Sequence, residues 1–213
     1  MLRVNEIFHS VQGESTHAGR PCVFVRLTGC NLRCVWCDTA YAFHEGSDME
    51  VGAVVARVEA FGCPLVEVTG GEPLLQPGVY PLMESLLDAG LTVLLETSGA
   101  IDVRLVPPAV HKIVDLKCPG SGESDRNDLR VLEHMTERDE LKFVLASRED
   151  YLWAQEMIGR HGMERRPFGL LFSTVHGELA PRDVAEWIIA ARLPVRFQLQ
   201  QHKVHRDPTA RGV

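Results

Sequence analysis

Cys22-Val23-Phe24-Val25-Arg26-Leu27-Thr28-Gly29-Cys30-Asn31-Leu32-Arg33-Cys34-Val35-Trp36-Cys37-Asp38-Thr39 is an apolar run that opens directly into three closely spaced cysteines. Cys22 to Leu27 is short, apolar and β-branched, which predicts a strand. The loop after it carries Cys30, Cys34 and Cys37 at C-x3-C-x2-C. Thiolates are soft ligands that select zinc, copper(I) or iron–sulfur clusters. A closed structural zinc site wants four ligands, usually as two separated pairs. An electron-transfer [4Fe–4S] cluster also wants four cysteines. Three cysteines leave one position of a cluster open, and an open position is what chemistry needs. The competing readings are a zinc site borrowing Cys22, Cys63, Cys118 or a histidine, and three unligated cysteines, which would bury little in a polar-flanked loop.

The pairing of an apolar strand with a loop of unusual composition recurs along the chain. Val4 to Val11 reads as an edge strand, followed by the polar turn Gln12-Gly13-Glu14-Ser15. Ser47 and Glu50 have capping-box spacing, and Val51, Val54, Val55, Val58 and Phe61 form one apolar helical stripe that Gly62 ends. Leu65 to Thr69 predicts a strand before Gly70-Gly71-Glu72-Pro73, and Tyr80 to Ala89 a helix ending at Gly90. Thr92 to Glu96 predicts a buried strand before Thr97-Ser98-Gly99, and Val110 to Leu116 another before Lys117-Cys118-Pro119-Gly120. Beyond these, helices are expected over Asn127 to Glu137, Glu149 to Gly159 and Pro181 to Ala191. Strands are expected over Glu140 to Leu145, Phe168 to Ser173 and Val195 to Gln200. Lys142 reads as a rim residue without a role.

Alternating strands and helices imply a parallel sheet with crossover helices. The units number about six or seven, and a full eightfold barrel usually needs about 250 residues. The expected fold is therefore α/β, a partial (open) TIM-like β/α barrel with about six parallel strands. Ligands of such sheets sit at the C-terminal ends of the strands. The cysteine loop and the loops after the next three strands all fall there, so they are expected to form one site.

The 213 residues suit one domain spanning 1-213, with a short N-terminal segment and a C-terminal tail. Hydrophobic content of 45% and charged content of 24% are ordinary globular values. A net charge of -7 argues against nucleic acid and against an anionic membrane surface as partners. No membrane-length apolar run, signal-peptide pattern, internal repeat or low-complexity segment is present. Six clustered cysteines in a chain of this size fit a reduced cytoplasmic metal protein better than a disulfide framework.

The cysteine spacing and Gly70-Gly71-Glu72-Pro73, occurring in that order on successive strands, resemble the radical S-adenosylmethionine (SAM) superfamily. The likeness then narrows. Gln12-Gly13-Glu14 is similar to a family Q-G-E-G, Cys37-Asp38-Thr39 to its C-D-T, Gln198-Leu199-Gln200-Gln201-His202-Lys203 to its Q-L-H-K, and Arg211-Gly212-Val213 to its usual terminus. Together these resemble the 7-carboxy-7-deazaguanine synthase family over nearly the whole chain, with Ser121 to Gly169 covered only by element order. Ser15, Gln201 and His205 depart from the family pattern, and the first two are expected to shift the substrate-side backbone slightly.

The resemblance implies a radical SAM lyase that converts 6-carboxytetrahydropterin to 7-carboxy-7-deazaguanine by ring contraction with loss of ammonia. It implies a [4Fe–4S] cluster on Cys30, Cys34 and Cys37, SAM, and Mg2+ on the Thr39 hydroxyl. Trp36, Cys37, Asp38, Gly71, Glu72, Ser98, Asp115, Leu116 and Lys117 would hold the cofactor. Val11, Gln12, Gly13, Glu14, Arg26, Thr69 and His202 would hold the pterin. Arg26 would fork onto the substrate carboxylate, or else serve a structural ion pair. In the mechanism so implied, one electron cleaves SAM, the resulting radical takes hydrogen from C6, the ring contracts, and SAM is reformed. A flavodoxin or ferredoxin is the implied electron donor, and a homodimer the implied assembly. Two other readings stand beside it: a glycyl-radical activase, which often follows the third cysteine with H-N rather than Asp38-Thr39, and a non-enzymatic zinc module, disfavoured by the missing second C-x2-C pair.

Overall fold

The computed structural model describes residues 1–208 and 210–212. Val213 of the Arg211-Gly212-Val213 terminus therefore lies outside the described residues, as does Thr209 in the tail. The described residues form one nine-stranded sheet in the order β3-β1-β2-β4-β5-β6-β7-β8-β9. The strands are β1 (Leu2–Val11), β2 (Pro21–Leu27), β3 (Ser47–Met49), β4 (Leu65–Gly70), β5 (Thr92–Thr97), β6 (His111–Asp115), β7 (Glu140–Leu145), β8 (Gly169–Thr174) and β9 (Arg196–Phe197). From β2 through β9 every sheet neighbour pairs in parallel, while β1 runs antiparallel to both β2 and β3. The linear strand order leaves the sheet open, as a partial barrel requires. Helices α1 (Val51–Glu59), α2 (Val79–Asp88), α3 (Arg148–Arg160) and α4 (Pro181–Ala191) make four of the crossovers, β5 to β6 and β6 to β7 being joined by loops and 3-10 turns, and the short α5 (His202–His205) lies in the tail.

Period-two alternation explains how strands so apolar can line a polar chamber. Val23, Val25 and Leu27 of β2, Val66 and Val68 of β4, and Leu141 and Phe143 of β7 belong to the hydrophobic core. The intervening Phe24 and Arg26, Glu67 and Thr69, and Lys142 and Val144 line a cleft instead, joined by Glu96 of β5 and Ile113 and Asp115 of β6. One face of each strand thus packs beneath the helices, and the other faces the chamber.

Five local expectations are revised. Ser47 is paired with Val4 in β3 rather than capping α1, whose N-cap Glu50 makes no side-chain cap bond. Strand pairing satisfies the backbone there, so no capping box is needed. β3 also covers Leu2 to Val4, so it, and not β1, is the sheet edge over that span. The helix expected over Asn127 to Glu137 shrinks to the 3-10 turn Leu129–Glu133. Asn127 is engaged elsewhere, its side chain holding both the N–H and the carbonyl of Lys117, and Thr136 turns back to Asp139. The last strand shortens from Val195–Gln200 to Arg196–Phe197, because Gln198 and Gln200 turn their amides to Ser15 and Glu14. Phe61 lies past the end of α1 and is exposed, its ring tilted against His9.

The N-terminal turn is anchored from below. Glu140, buried at the start of β7, accepts both of its bonds to Thr16 N (3.0 and 3.2 Å), and its Oε2 lies 3.0 Å from His111 Nε2. Burial pushes the Glu140 carboxyl up, but the His111 bond and charge and the Thr16 N–H more than offset this and leave it below its ordinary value. A depressed carboxyl contributes stability that is present above its unfolded pKa and is lost as pH falls through the folded one. Glu140→Gln is expected to cost about 1.5–3 kcal/mol at neutral pH. In urea titrations repeated at several pH values, the difference from wild type should narrow below the ordinary carboxylate range.

Candidate active site

The cysteine loop and the Gly-Gly loop leave neighbouring parallel strands and are bonded to each other. Gly71 N donates to Leu27 O (3.2 Å) and Glu72 N to Gly29 O (2.8 Å). A Cβ on Gly71 would collide with Gly29 O and Cys30 Cβ, so only glycine permits this approach. Glu72 is fully buried, and its carboxylate accepts from Leu74 N, Thr97 Oγ1, Ser98 N and Ser98 Oγ. It therefore fastens the β4 loop to the β5 loop, and its side chain lies behind the cleft rather than in it.

Cys30, Cys34 and Cys37 are unpaired, half-buried thiols that line one cleft. Burial pushes the Cys34 thiol up; Lys117 opposes this, and Asp115, Cys37 and Cys30 add to it. Three sulfurs close enough to sense one another across an open cleft suit a cluster whose irons each take one thiolate. The same atoms do not converge as single-ion ligands do: among the described residues no group of three or more His, Cys, Asp or Glu could hold one metal ion. Cys22, Cys63 and Cys118, the candidates for completing a zinc site, are buried in the core. The loop is held from outside by Arg33 N donating to Glu123 Oε1 (2.6 Å) and Val35 N donating to Ser121 O (3.0 Å). The Thr39 hydroxyl caps nothing and sits 3.8 Å from Cys37 Sγ, facing the cleft.

On the far wall, Asp115 Oδ2 is 3.1 Å from Lys117 Nζ and 3.5 Å from Lys142 Nζ, while its Oδ1 is buried without a hydrogen-bond partner among the described residues. Burial raises the Asp115 carboxyl, and Lys117 and Lys142 more than offset it, so this oxygen is an ionised, waiting acceptor. Ser98 and Lys117 line the cleft beside it. Leu116 does not, being fully buried with its N–H donated to Lys142 O.

The remaining wall comes from both ends of the chain. Gln12 Nε2 bonds Glu67, Gln12 Oε1 accepts from Glu14 N (2.9 Å), and Gln200 Nε2 donates to Glu14 Oε1 (2.9 Å). Gly13 packs so closely against His202 that a Cβ would overlap its ring. Ser15 holds a left-handed φ of 65°, the conformation the family glycine would adopt more cheaply, and its hydroxyl accepts from His17 N. The departures at Gln201 and His205 are exposed. Lys203 Nζ reaches Asp38 Oδ2 (2.6 Å), tying the tail to the cysteine loop.

Arg26 does hold a structural ion pair: its Nε donates to Glu6 Oε1 at 2.7 Å, and Tyr41 Oη donates to the same oxygen at 2.8 Å. Burial, opposed by Arg26 and reinforced by Glu6, pushes the Tyr41 phenol up to about 12. The guanidinium still lines the cleft beside Val11, Trp36, Asp38, Thr69 and Gly71. The cleft thus gathers every expected site residue except Glu72 and Leu116. It also contains three residues that sequence reasoning passed over. Glu67, Glu96 and Lys142 are charged positions in otherwise apolar strands, the same signal that singled out Arg26. Burial, with Glu96 and Glu14 beside it, pushes Glu67 well above the carboxylate range.

Comparison with known proteins agrees with this geometry. The Radical SAM superfamily profile matches residues 24–118, from β2 through the loop after β6. The 7-carboxy-7-deazaguanine synthase of Chlorobaculum tepidum is 48% identical over 215 residues, spanning 100% of this chain and 97% of that protein. The enzyme of the same name from Koribacter versatilis is 42% identical over 226 residues and 100% of both chains. The crystal structure of QueE from Escherichia coli superposes with a TM-score of 0.77 at 25% identity, covering 94% of each chain. With near-complete coverage at such identity, and with the cysteine and Gly-Gly loops joined in one cleft, the chain belongs to the 7-carboxy-7-deazaguanine synthase family of the radical SAM superfamily.

Proposed function

We propose that this chain converts 6-carboxytetrahydropterin to 7-carboxy-7-deazaguanine with release of ammonia, a step toward 7-deazapurines and queuosine. The observation that carries the reading is the single cleft joining the three cysteines, the Gly-Gly loop, the Gln12-Gly13-Glu14 segment and the His202 tail, in a chain whose relatives bear that enzyme's name. Cys30, Cys34 and Cys37 would hold the [4Fe–4S] cluster. When bound, the cluster and SAM supply the one-electron reduction and hydrogen-atom abstraction that the chemistry needs.

The chain's own residues orient and enclose. Gly71 would receive the methionine end of SAM, Trp36 and Asp38 would also hold the cofactor, Ser98 and Lys117 would face its ribose or adenine, and Asp115 Oδ1, unpartnered among the described residues, would be an acceptor for a ribose hydroxyl. Glu72 and Leu116 would act from behind, by holding these loops in place. Thr39 would contribute one oxygen to Mg2+, whose other ligands are substrate oxygens and waters. Burial pushes the Glu14 carboxyl up, but Lys142, Gln200 and His202 outweigh it and leave it low. Glu14 is thus an ionised acceptor for the N–H edge of the pterin, with Gln12 and Gly13 beside it. The backbone at Val11 and the Thr69 hydroxyl would complete the ring contacts. The side of Arg26 away from Glu6 would take the substrate carboxylate. Burial lowers the His202 pKa, Glu14 opposing and Lys203 reinforcing, so the ring stays neutral at pH 7. The Lys203–Asp38 pair holds the tail across the opening and would exclude water.

A homodimer, a flavodoxin or ferredoxin as electron donor, and a cytoplasmic setting complete the reading. Of these, the reducing setting is the part that the six free cysteines suit.

The deciding assay is anaerobic: the reconstituted protein with SAM, Mg2+ and a strong reductant, scored for 5′-deoxyadenosine and 7-carboxy-7-deazaguanine with and without the pterin. Substrate-dependent product is expected; 5′-deoxyadenosine without product would make the substrate wrong. Cys34→Ala should lose the iron and sulfide of the cluster together with all SAM cleavage, and full activity in that variant would remove the cluster from the site. Arg26→Ala should raise the pterin KM by roughly 10–100-fold, the scale of a lost charged hydrogen-bond pair, while changing uncoupled SAM cleavage far less. An unchanged KM would take Arg26 out of the substrate pocket.

A further inference from the structure

Lys142 sits in the middle of β7 with its side chain 3% exposed. Its Nζ is 2.9 Å from Glu14 Oε2, bonds Glu96 Oε1, and lies 3.5 Å from Asp115 Oδ2. These carboxylates arrive from the N-terminal segment, β5 and β6. One ammonium is therefore the common partner of three elements that otherwise would bring like charges together. The other charged or titratable groups facing this centre are Glu67 from β4, Arg26 from β2, Lys117 from the loop after β6 and His202 from the tail. Burial alone would strip a lysine of its proton. Here Glu14, Glu96 and Asp115 outweigh burial and hold the Lys142 ammonium well above its ordinary value. The carboxylates divide accordingly: Glu14 and Asp115 are held low, while Glu67 and Glu96 are raised, by burial before any charge.

We propose that Lys142 is a positioning residue for the pterin: its ammonium keeps Glu14 ionised and aimed at the N–H edge of the ring, and keeps Glu96 from competing for that charge. The proposal rests on the placement of Glu14 against the pterin given above. Its chemistry is simple. An ionised carboxylate only accepts and can receive two adjacent N–H donors, whereas a protonated one gives up an acceptor site and presents a proton to a donor. Two buried carboxylates that share a site without a cation share a proton instead. Without Lys142, Glu14 would face Glu96 and Glu67 in that condition and would hold a proton at neutral pH. It would ionise only as pH rises.

The test uses the cluster-loaded holoenzyme with saturating SAM, Mg2+ and reductant, reading pterin KM and kcat from mildly acidic to alkaline pH. Lys142→Met is expected to raise KM by roughly 10–100-fold at neutral pH, with a smaller effect on kcat. Its KM should fall as pH rises, in contrast to a flat wild-type profile. In the double variant Lys142→Met/Glu96→Gln, removal of the competing carboxylate should restore much of the neutral-pH affinity, which a packing role for Lys142 would not predict. Iron and sulfide content and circular dichroism check that each variant is folded and loaded. Should Lys142→Met fail that check, Lys142→Gln, polar and neutral in a similar volume, carries the same comparison. A KM unchanged in the neutral variant overturns the proposal, as does a KM raised equally at every pH and not relieved by Glu96→Gln. Glu14→Gln separates the two readings: if it leaves KM unchanged, the placement of Glu14 falls and the proposal with it. If it raises KM while the Lys142 variants do not, only the proposal falls.

Discussion

The parallel pairing of β2 with β4 is the constraint on which the cleft depends. Its register sets Arg26 beside Thr69 and Leu27 beside Gly70, so the two strands end together and their loops leave at the same height. Glu72 N then reaches Gly29 O, and Gly71 packs where no side chain fits. Because a one-residue slip would send each strand's side chains to the opposite face, the same register decides which residues see the chamber. Arg26, Glu67 and Thr69 face inward only while Val25, Val66 and Val68 face the helices. The fully buried Glu72 carries the constraint one strand further, to Thr97 of β5 and Ser98 in the loop after it.

The walls of the chamber are built at a cost that function explains better than stability does. Buried ion pairs seldom repay their desolvation, yet Glu14, Glu96, Asp115, Lys117 and Lys142 meet inside the sheet. A core of aliphatic side chains would hold these strands together at least as well. The charges are tolerated because they satisfy one another across elements distant in sequence, and what they leave over is useful: an acceptor oxygen on Asp115 and an ionised edge on Glu14. Ser15 is a smaller instance of the same economy. Its left-handed φ carries the strain expected of a non-glycine residue, and its hydroxyl and N–H recover part of that through His17 N and Gln198 Oε1.

Both chain ends complete the site. The N-terminal turn is anchored to β7 through Glu140, and the tail is anchored to the turn through Gln200 and to the cysteine loop through Lys203. The wall formed by Glu14 and Gln200 is thus assembled from segments nearly the whole sequence apart, while the wall of the cysteine and Gly-Gly loops comes from successive strand ends. A change near either terminus can therefore reach the cleft without touching the cysteines.

Much of this was legible in the residues themselves. The spacing of Cys30, Cys34 and Cys37, the two glycines before Glu72, and apolar runs of strand length each carry their chemistry locally, so the open barrel and the loops at its strand ends could be read from sequence. Arg26 stood out because an arginine in an apolar strand needs a partner. Lys142, Glu67 and Glu96 obeyed the same rule but lacked a local motif, and Lys142 passed for a rim residue because nothing nearby in sequence shows which face of β7 is inward. The missing helix at Asn127 and the shortened β9 have the same origin: Asn127, Gln198 and Gln200 had local alternatives, and distant backbone or carboxylate groups decided among them. The sequence by itself determined the order of the parallel strands and their loops and the cluster-binding chemistry, because those rest on neighbours along the chain. Only the tertiary structure decided which charges share the chamber and which are ionised, because burial and pairing are set by residues that meet through the sheet.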